Sequence, residues 1–125
     1  RSIQNAMALI PREKILMGLP FYNRLWRVDA DGIHTISNHG MASPWTMVEE
    51  WGVTPVWDPV IGSYYANFTT EENGEQITFR IWLECKRSIE EKLRIFVEHD
   101  VAGVASWRRG LETPGVWQLI DAVMP

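Results

Sequence analysis

The chain has 125 residues, 46% of them hydrophobic and 22% charged, which is one domain's worth of core and excludes a disordered chain, a collagen-like repeat and a disulfide-stapled miniprotein. It is too short for a complete (β/α)8 barrel, which needs about 200 residues or more. Twelve basic against sixteen acidic residues (net −4) argue against nucleic acid as the main partner, and no apolar run approaches the ~20 residues of a membrane span.

The opening RSIQNAMALIPREK has neither an initiator Met nor the charge-then-apolar layout of a signal peptide, so the chain is expected to be a segment of a longer protein. Ile3, Met7 and Ile10 recur at helical spacing before Pro11 stops them. The apolar run Ile15–Leu19, closed by Gly18 and Pro20, suits a strand buried on both faces, the parallel-sheet type. Residues 21–42 are rich in Gly, Asn, His and aromatics and read as loop, with a strand predicted at Gly32–Ser37. Ser43-Pro44 then predicts an N-cap followed by proline at the first helical position, with a helix through Met47, Val48 and Trp51 to Gly52. Two or three strands follow, punctuated by a turn at Asp58–Gly62 and by the hairpin signal Asn73-Gly74. Residues 28–83 therefore read as a small antiparallel α+β insert.

The last third returns to β/α alternation. Ser88-Ile89-Glu90-Glu91 has the wording of a capping box with serine at the N-cap, and Ile89, Leu93, Phe96 and Val97 form one apolar helical face reaching His99. Val101–Trp107 predicts a second apolar strand, and Thr113-Pro114 opens a final helix carrying Val116, Trp117, Leu119, Ile120 and Val123. The fold class expected is α/β, with an α+β character in the segment itself.

Few residues offer chemistry. His34, His39, His99 and the single Cys85 match no metal-ligand spacing, Gly18-Leu19-Pro20 is not a phosphate cradle, and neither a metal nor a cofactor is expected. Cys85 beside Lys86 and Arg87 has no assignable histidine partner, and Ser106 lacks a glycine-flanked elbow. Asn67-Phe68-Thr69 fits the N-glycosylation pattern, which carries weight only in a eukaryotic secretory pathway. Glu84 ends an apolar strand where parallel-sheet proteins place site residues, and reads equally as a surface carboxylate or a cap partner of Arg87. The seven tryptophans are the unusual count. Tyr22, Trp26, Trp82 and Trp107 fall at strand ends or in the loops after them, together with Arg24 and Glu84. Flat aromatics with fixed donors and acceptors suit sugar rings, whose apolar C–H faces are bordered by hydroxyls. Taken singly, each tryptophan also suits core packing, and Trp45, Trp51 and Trp117 suit it better.

The order KILMGLPFYNRLW, an α+β insert, IWLECKRSIEEK and VAGVASWRRG resembles the C-terminal part of glycoside hydrolase family 18, which includes chitinases and bacterial cell-wall or spore-cortex N-acetylglucosaminidases. The resemblance implies the C-terminal portion of a TIM (β/α)8 barrel. Residues 1–27 would hold the end of helix six, barrel strand seven and its loop; residues 28–83 an α+β insertion domain; residues 84–125 helix seven, barrel strand eight and helix eight. It implies that Tyr22 hydrogen-bonds near the scissile sugar, that Arg24 binds the sugar chain and that Trp107 forms the floor under the cleaved sugar. Glu84 would reach the substrate, with Trp82 and Trp26 as neighbours; Asn23 stands where the family usually has glycine. The family's general-acid motif, D-x-x-D-x-D-x-E, does not occur in the chain. The implied activity is therefore hydrolysis of β-linked N-acetylglucosamine polymers by the intact protein, with the segment inactive alone. The implied location is extracellular, on the cell wall or spore. A non-catalytic carbohydrate-binding or wall-anchoring protein and a purely structural α+β interaction domain stay open beside it. Barrel strands without their outer neighbours also predict self-association of the segment.

Overall fold

The computed structural model describes residues 2–124. Helix α1 (Ser2–Met7) buries Ile3, and a single 3₁₀ turn at Arg12–Lys14 leads into β1 (Leu16–Pro20). β1 pairs in parallel with β7 (Gly103–Trp107), in a register running from Leu16 opposite Gly103 to Pro20 opposite Trp107. The two form a two-stranded parallel sheet, as the apolar runs at 15–19 and 101–107 predict. Val101 itself precedes β7 and is buried.

The stretch between them is more regular than its composition suggests. Residues 22–40, read as mostly loop, form a hairpin of β2 (Tyr22–Asp29) and β3 (Gly32–Gly40). β2 thus runs across positions 27 and 28, where the sequence places the start of the insert. Helix α2 (Ser43–Glu50) follows, capped one residue earlier than expected, at Ala42, with Pro44 in its first turn. β4 (Val56–Asp58), β5 (Ser63–Glu72) and β6 (Glu75–Leu83) complete a five-stranded antiparallel sheet in the order β3-β2-β6-β5-β4. The β5–β6 turn is Asn73-Gly74 with both φ angles positive (53° and 81°), as a two-residue hairpin with native twist requires.

Strand periodicity divides the sheet's residues between two faces. Leu25, Ala66, Ile81 and Leu83 are buried with Val48 of α2, joined by the rings of Trp45, Trp51, Tyr64 and Phe79. Trp51 stacks on Phe68 at 5.6 Å, so Trp45 and Trp51 are core residues. The opposite face carries Tyr22, Arg24 and Trp26 on β2 and Trp82 on β6. A second core lies under β1 and β7, where Leu19, Phe21, Ile89, Leu93, Val116 and Ile120 are buried. Each fully buried aliphatic side chain of this kind contributes about 1.5–3 kcal/mol.

Helix α3 (Lys86–Glu98) starts earlier than the sequence predicts. Cys85 is the N-cap and Ser88 is the third helical residue: the Cys85 N–H donates to Ser88 Oγ at 2.8 Å, so serine supplies the reciprocal half of the box rather than the cap. α4 (Val116–Val123) starts later, after Gly115 in the left-handed region (φ 83°), because Thr113-Pro114 lie in the turn before it.

Asn23, which is 1% exposed, ties the start of β2 to the end of β3 and to the residue after β6. Its Nδ2 donates to the Gly40 carbonyl at 2.9 Å, and its Oδ1 accepts the Glu84 N–H. Asn23→Ala strands the buried Glu84 N–H and the half-buried Gly40 carbonyl, at about 1–3 kcal/mol for a fully buried group and less for the other. The substitution should lower stability by about 2–4 kcal/mol in denaturant unfolding, whereas Asn38→Ala, on the exposed neighbouring strand, should shift it by under about 0.5 kcal/mol.

Candidate functional site

The carboxyl ends of β1 and β7 meet at Pro20 and Trp107, where the Phe21 N–H donates to the Trp107 carbonyl at 2.8 Å. β2 begins one residue further on, so Tyr22 and Arg24 rise from this point on the sheet face away from α2. Opposite them Trp107 ends β7 with 69% of its surface exposed, which ordinary core packing does not explain. The peptide that joins it to Arg108 is cis.

Between these walls lies an open cleft of about 510 Å³ lined by Tyr22, Arg24, Asn38, His39, Gly40, Trp107, Arg108 and Leu111. Arg24 lies between two rings, its guanidinium carbon 6.0 Å from the Tyr22 centroid and 5.7 Å from that of Trp26. Its Nε donates to Asn38 Oδ1 at 3.3 Å. This is what alternate residues 22, 24 and 26 on one strand face produce, and it fixes the direction of Arg24 past a buried Asn23. His39 Nε2 is 2.6 Å from Ser37 Oγ.

The cleft continues along the outer sheet face. A hollow of about 270 Å³ shares Tyr22 and Arg24 with it and adds Trp26, Trp82 and Glu84, and a third of about 380 Å³ is lined by Trp26, Ile33, Arg80 and Trp82. All six residues singled out in the sequence, Tyr22, Arg24, Trp26, Trp82, Glu84 and Trp107, thus line one connected surface.

Glu84 lines the floor of the middle hollow but is only 9% exposed, with its oxygens engaged. Ser88 Oγ donates to Oε2 at 2.6 Å, and Lys92 Nζ donates to Oε1 and Oε2 at 3.0 and 2.9 Å. Glu84, Ser88 and Lys92 stand four residues apart, one above the other from just before α3 into its second turn, which is the physical content of the spacing within IWLECKRSIEEK. The partner is Lys92, not the adjacent Arg87. Arg87 lies over the Trp57 ring at 3.8 Å and donates to the Tyr64 hydroxyl at 3.2 Å.

Asn38, His39, Arg108 and Leu111 line the cleft without having been singled out from the sequence. For the first two the missing signal is β3 itself, whose return along β2 brings residue 40 opposite residue 22. Arg108 follows directly on Trp107 and is findable as its neighbour. The far wall is fixed by backbone contacts: the Met41 N–H donates to the Leu111 carbonyl at 2.8 Å, and a Cβ on Gly40 would lie 3.1 Å from that same oxygen. The loop is braced by Glu112, whose carboxylate accepts the Gly110 N–H at 2.6 Å and the Trp117 Nε1–H at 2.8 Å. Trp117, expected in the core, instead is 39% exposed, meeting Phe21 edge-on at 5.4 Å. Among the described residues no group of three His, Cys, Asp or Glu side chains is placed to hold a metal ion.

The described residues thus define a mixed α/β protein with an aromatic, arginine-bearing cleft at the carboxyl ends of its parallel strands. The family model for glycosyl hydrolases family 18 matches residues 2–112, and the chain belongs to that family. It is 25% identical over 119 residues to the cortical fragment-lytic enzyme of Bacillus anthracis, covering 94% of this chain and 27% of that protein. An uncharacterized glycosylase of Bacillus subtilis, YvbX, is 21% identical, with 95% of this chain and 33% of the relative covered. The chain therefore spans about a quarter to a third of the curated relatives it matches. Among solved structures, the spore cortex-lytic enzyme SleL of Bacillus cereus superposes with a TM-score of 0.82 at 23% identity, covering 98% of this chain and 28% of that one. A class V chitinase of Nicotiana tobaccum, crystallised as a mutant in complex with NAG4, superposes with a TM-score of 0.72 at 17% identity, covering 97% and 37%.

The hydrogen bond from Trp117 holds the Glu112 carboxyl below its ordinary pKa, with the backbone N–H donors adding to the effect. A carboxylate whose folded pKa is depressed contributes stability that is present above its unfolded pKa and lost as pH falls through the folded one. The Trp117 indole N–H resonance should therefore titrate with a midpoint below the usual glutamate value, and in Glu112→Gln it should show no such transition.

Proposed function

We propose that this chain is the C-terminal part of the catalytic domain of a glycosidase acting on β-linked N-acetylglucosamine polymers, chitin or the peptidoglycan of cell wall or spore cortex. In this reading β1 and β7 are the seventh and eighth strands of a (β/α)8 barrel, α3 and α4 are its last helices, and the antiparallel sheet with α2 is an insertion between the two strands. The observation that carries it is the exposed Trp107 indole at the end of β7, facing Tyr22 and Arg24 across an open cleft. Family membership and the names of the relatives, one a cortical fragment-lytic enzyme and one a chitinase crystallised with NAG4, support it.

Trp107 is the floor on which the cleaved sugar stacks, Tyr22 donates or accepts beside the scissile bond, and Arg24 binds the chain beyond it. Trp26 and Trp82 extend the platform along the polymer. Glu84 acts through the floor rather than on substrate: paired with Lys92, it fixes the start of α3 and, through its N–H, Asn23. Hydrolysis in this reading is retaining and substrate-assisted, with the substrate's own acetamido group as nucleophile and one enzyme acid moving the proton. The motif that supplies such an acid is absent from these residues, so the segment binds but does not turn over. The intact protein acts outside the cell, at the wall or spore. A non-catalytic carbohydrate-binding protein is the second reading, favoured by one observation: among the described residues the one carboxylate lining the connected surface is already paired with a lysine.

N-acetylglucosamine tetrasaccharide should bind this chain without being cleaved, and Trp107→Ala should weaken binding by about 2 kcal/mol, some thirtyfold, in calorimetric titration. Affinity unchanged by that substitution would sink the sugar-floor role. The longer protein should cleave the tetrasaccharide; a binder without cleavage would favour the second reading.

Among the described residues β1 and β7 each have one edge without a strand partner. Edges of this kind pair with other chains. The isolated chain should sediment as a concentration-dependent dimer or larger species, and a monomer at high concentration would show the edges to be inert.

A further inference from the structure

Trp107, Arg108 and Leu111 line the cleft from one segment, and from Arg108 to Gly115 that segment is neither strand nor helix. Backbone of this kind keeps one shape only where its polar groups are tied to something outside it. On the β3 side the tie is the Met41 N–H on the Leu111 carbonyl, and the Leu111 N–H closes a local turn on the Arg108 carbonyl at 3.2 Å. On the α4 side the tie is a side chain. Glu112 accepts the Gly110 N–H with one carboxylate oxygen and the Trp117 Nε1–H with the other, so it joins the turn that carries Arg108 and Leu111 to the first turn of α4.

Trp117 is itself anchored. Its ring meets the buried Phe21 edge-on at 5.4 Å, and the Phe21 N–H donates to the Trp107 carbonyl at 2.8 Å. These contacts close a circuit from Trp107 through Phe21, Trp117, Glu112 and Gly110, and back to Trp107 along the chain. Neither Glu112 nor Trp117 lines the cleft, yet the segment they enclose supplies three of its lining residues. The circuit also accounts for the 39% exposure of Trp117: the ring is aimed by its N–H rather than sunk in the core. An ionised carboxylate accepts from both donors at once, and its bonds are roughly twice as strong as neutral ones.

Resting on the reading of the cleft as a glycan site, we propose that Glu112 is a positioning residue for glycan binding: through Gly110 and Trp117 it holds the segment 107–111 so that the Trp107 indole faces Tyr22 and Arg24. Glu112 touches no sugar. A segment released from it populates other arrangements, and affinity falls in proportion to the fraction of chains that keep the competent one.

The test joins two readouts on this chain. The indole N–H signals of its seven tryptophans are followed one by one in heteronuclear spectra, assigned by substitution. In Glu112→Ala, and in Trp117→Phe, which keeps a ring against Phe21 but removes the donor, the Trp107 signal should shift and broaden. The Trp45 and Trp51 signals, from the core between α2 and the sheet, should stay in place. In calorimetric titration with the N-acetylglucosamine tetrasaccharide, Glu112→Ala should bind about tenfold more weakly and Trp117→Phe about fivefold. The double substitution should be no worse than Glu112→Ala alone, because both changes act on one bond. Glu112→Gln, which keeps an oxygen for the indole N–H, should lose under about threefold. Glu90→Gln, which breaks the exposed pair with Arg94 on α3, should move neither readout. A Trp107 signal or an affinity unchanged in both Glu112→Ala and Trp117→Phe would overturn the positioning role and leave the glycan site intact. So would a loss in Glu112→Gln as large as in Glu112→Ala, or movement of the Trp45 and Trp51 signals along with that of Trp107. Failure of the native chain to bind the tetrasaccharide would overturn the glycan site itself, and this role with it.

Discussion

The arrangement of this protein depends on one buried carboxamide. Asn23 sits where a parallel pair of strands gives way to an antiparallel sheet, and its side chain bonds to the end of β3 and to the residue after β6. Those three segments are far apart in sequence, and each brings part of the cleft with it: Tyr22 and Arg24 flank Asn23, His39 precedes Gly40, and Trp82 lies two residues before Glu84. Glu84 in turn accepts from Ser88 and Lys92, so the same junction sets the origin of α3. A polar group this deeply buried is tolerated only when both its donor and acceptor are used, and here both are. The Asn23 carboxamide makes this corner a cross-link between three segments of the chain.

What the sequence showed plainly were the elements that bury an apolar face. The two parallel strands announce themselves as continuous apolar runs, and the Asn73-Gly74 turn follows from the backbone angles that only such residues adopt easily. The β2–β3 hairpin was legible in part: the strand expected at Gly32–Ser37 lies within β3, whereas β2 was not expected, because one of its faces is polar and aromatic rather than apolar. Arg24, His34, Asn38 and His39 stand where an ordinary strand would alternate apolar and polar residues, so the pattern is that of a loop. The start of α3 was misread for a related reason: serine and glutamate at capping-box spacing describe a common N-terminus, but Cys85 takes the cap while Ser88 bonds to Glu84 and to the Cys85 amide. The aromatic residues of the site were legible by their position at strand ends. Asn38, Arg108 and Leu111 were not, since they arrive through pairings across the fold.

The seven tryptophans do different work. Trp45 and Trp51 pack the sheet against α2. Trp57 is covered by Arg87, and Trp117 is a donor to Glu112 with its ring against Phe21. Trp26, Trp82 and Trp107 face outward over connected hollows, with Trp82 tilted on Tyr65 at 5.1 Å. Burial of an indole in a core and its display on a surface use the same apolar area; the difference lies in what covers it.

The two walls of the cleft touch through main-chain atoms, Met41 N–H on the Leu111 carbonyl, with Gly40 too close to that oxygen to accept a larger residue without displacement. Width is therefore a property of the backbone, whereas lining is a property of side chains that do not hold the walls together. Asn38, His39 and Arg108 can be exchanged for other residues over evolutionary time without the slot opening or closing. A lineage built on this frame can change what the slot accepts by altering charge and hydrogen bonding alone, at little cost to the fold that presents it.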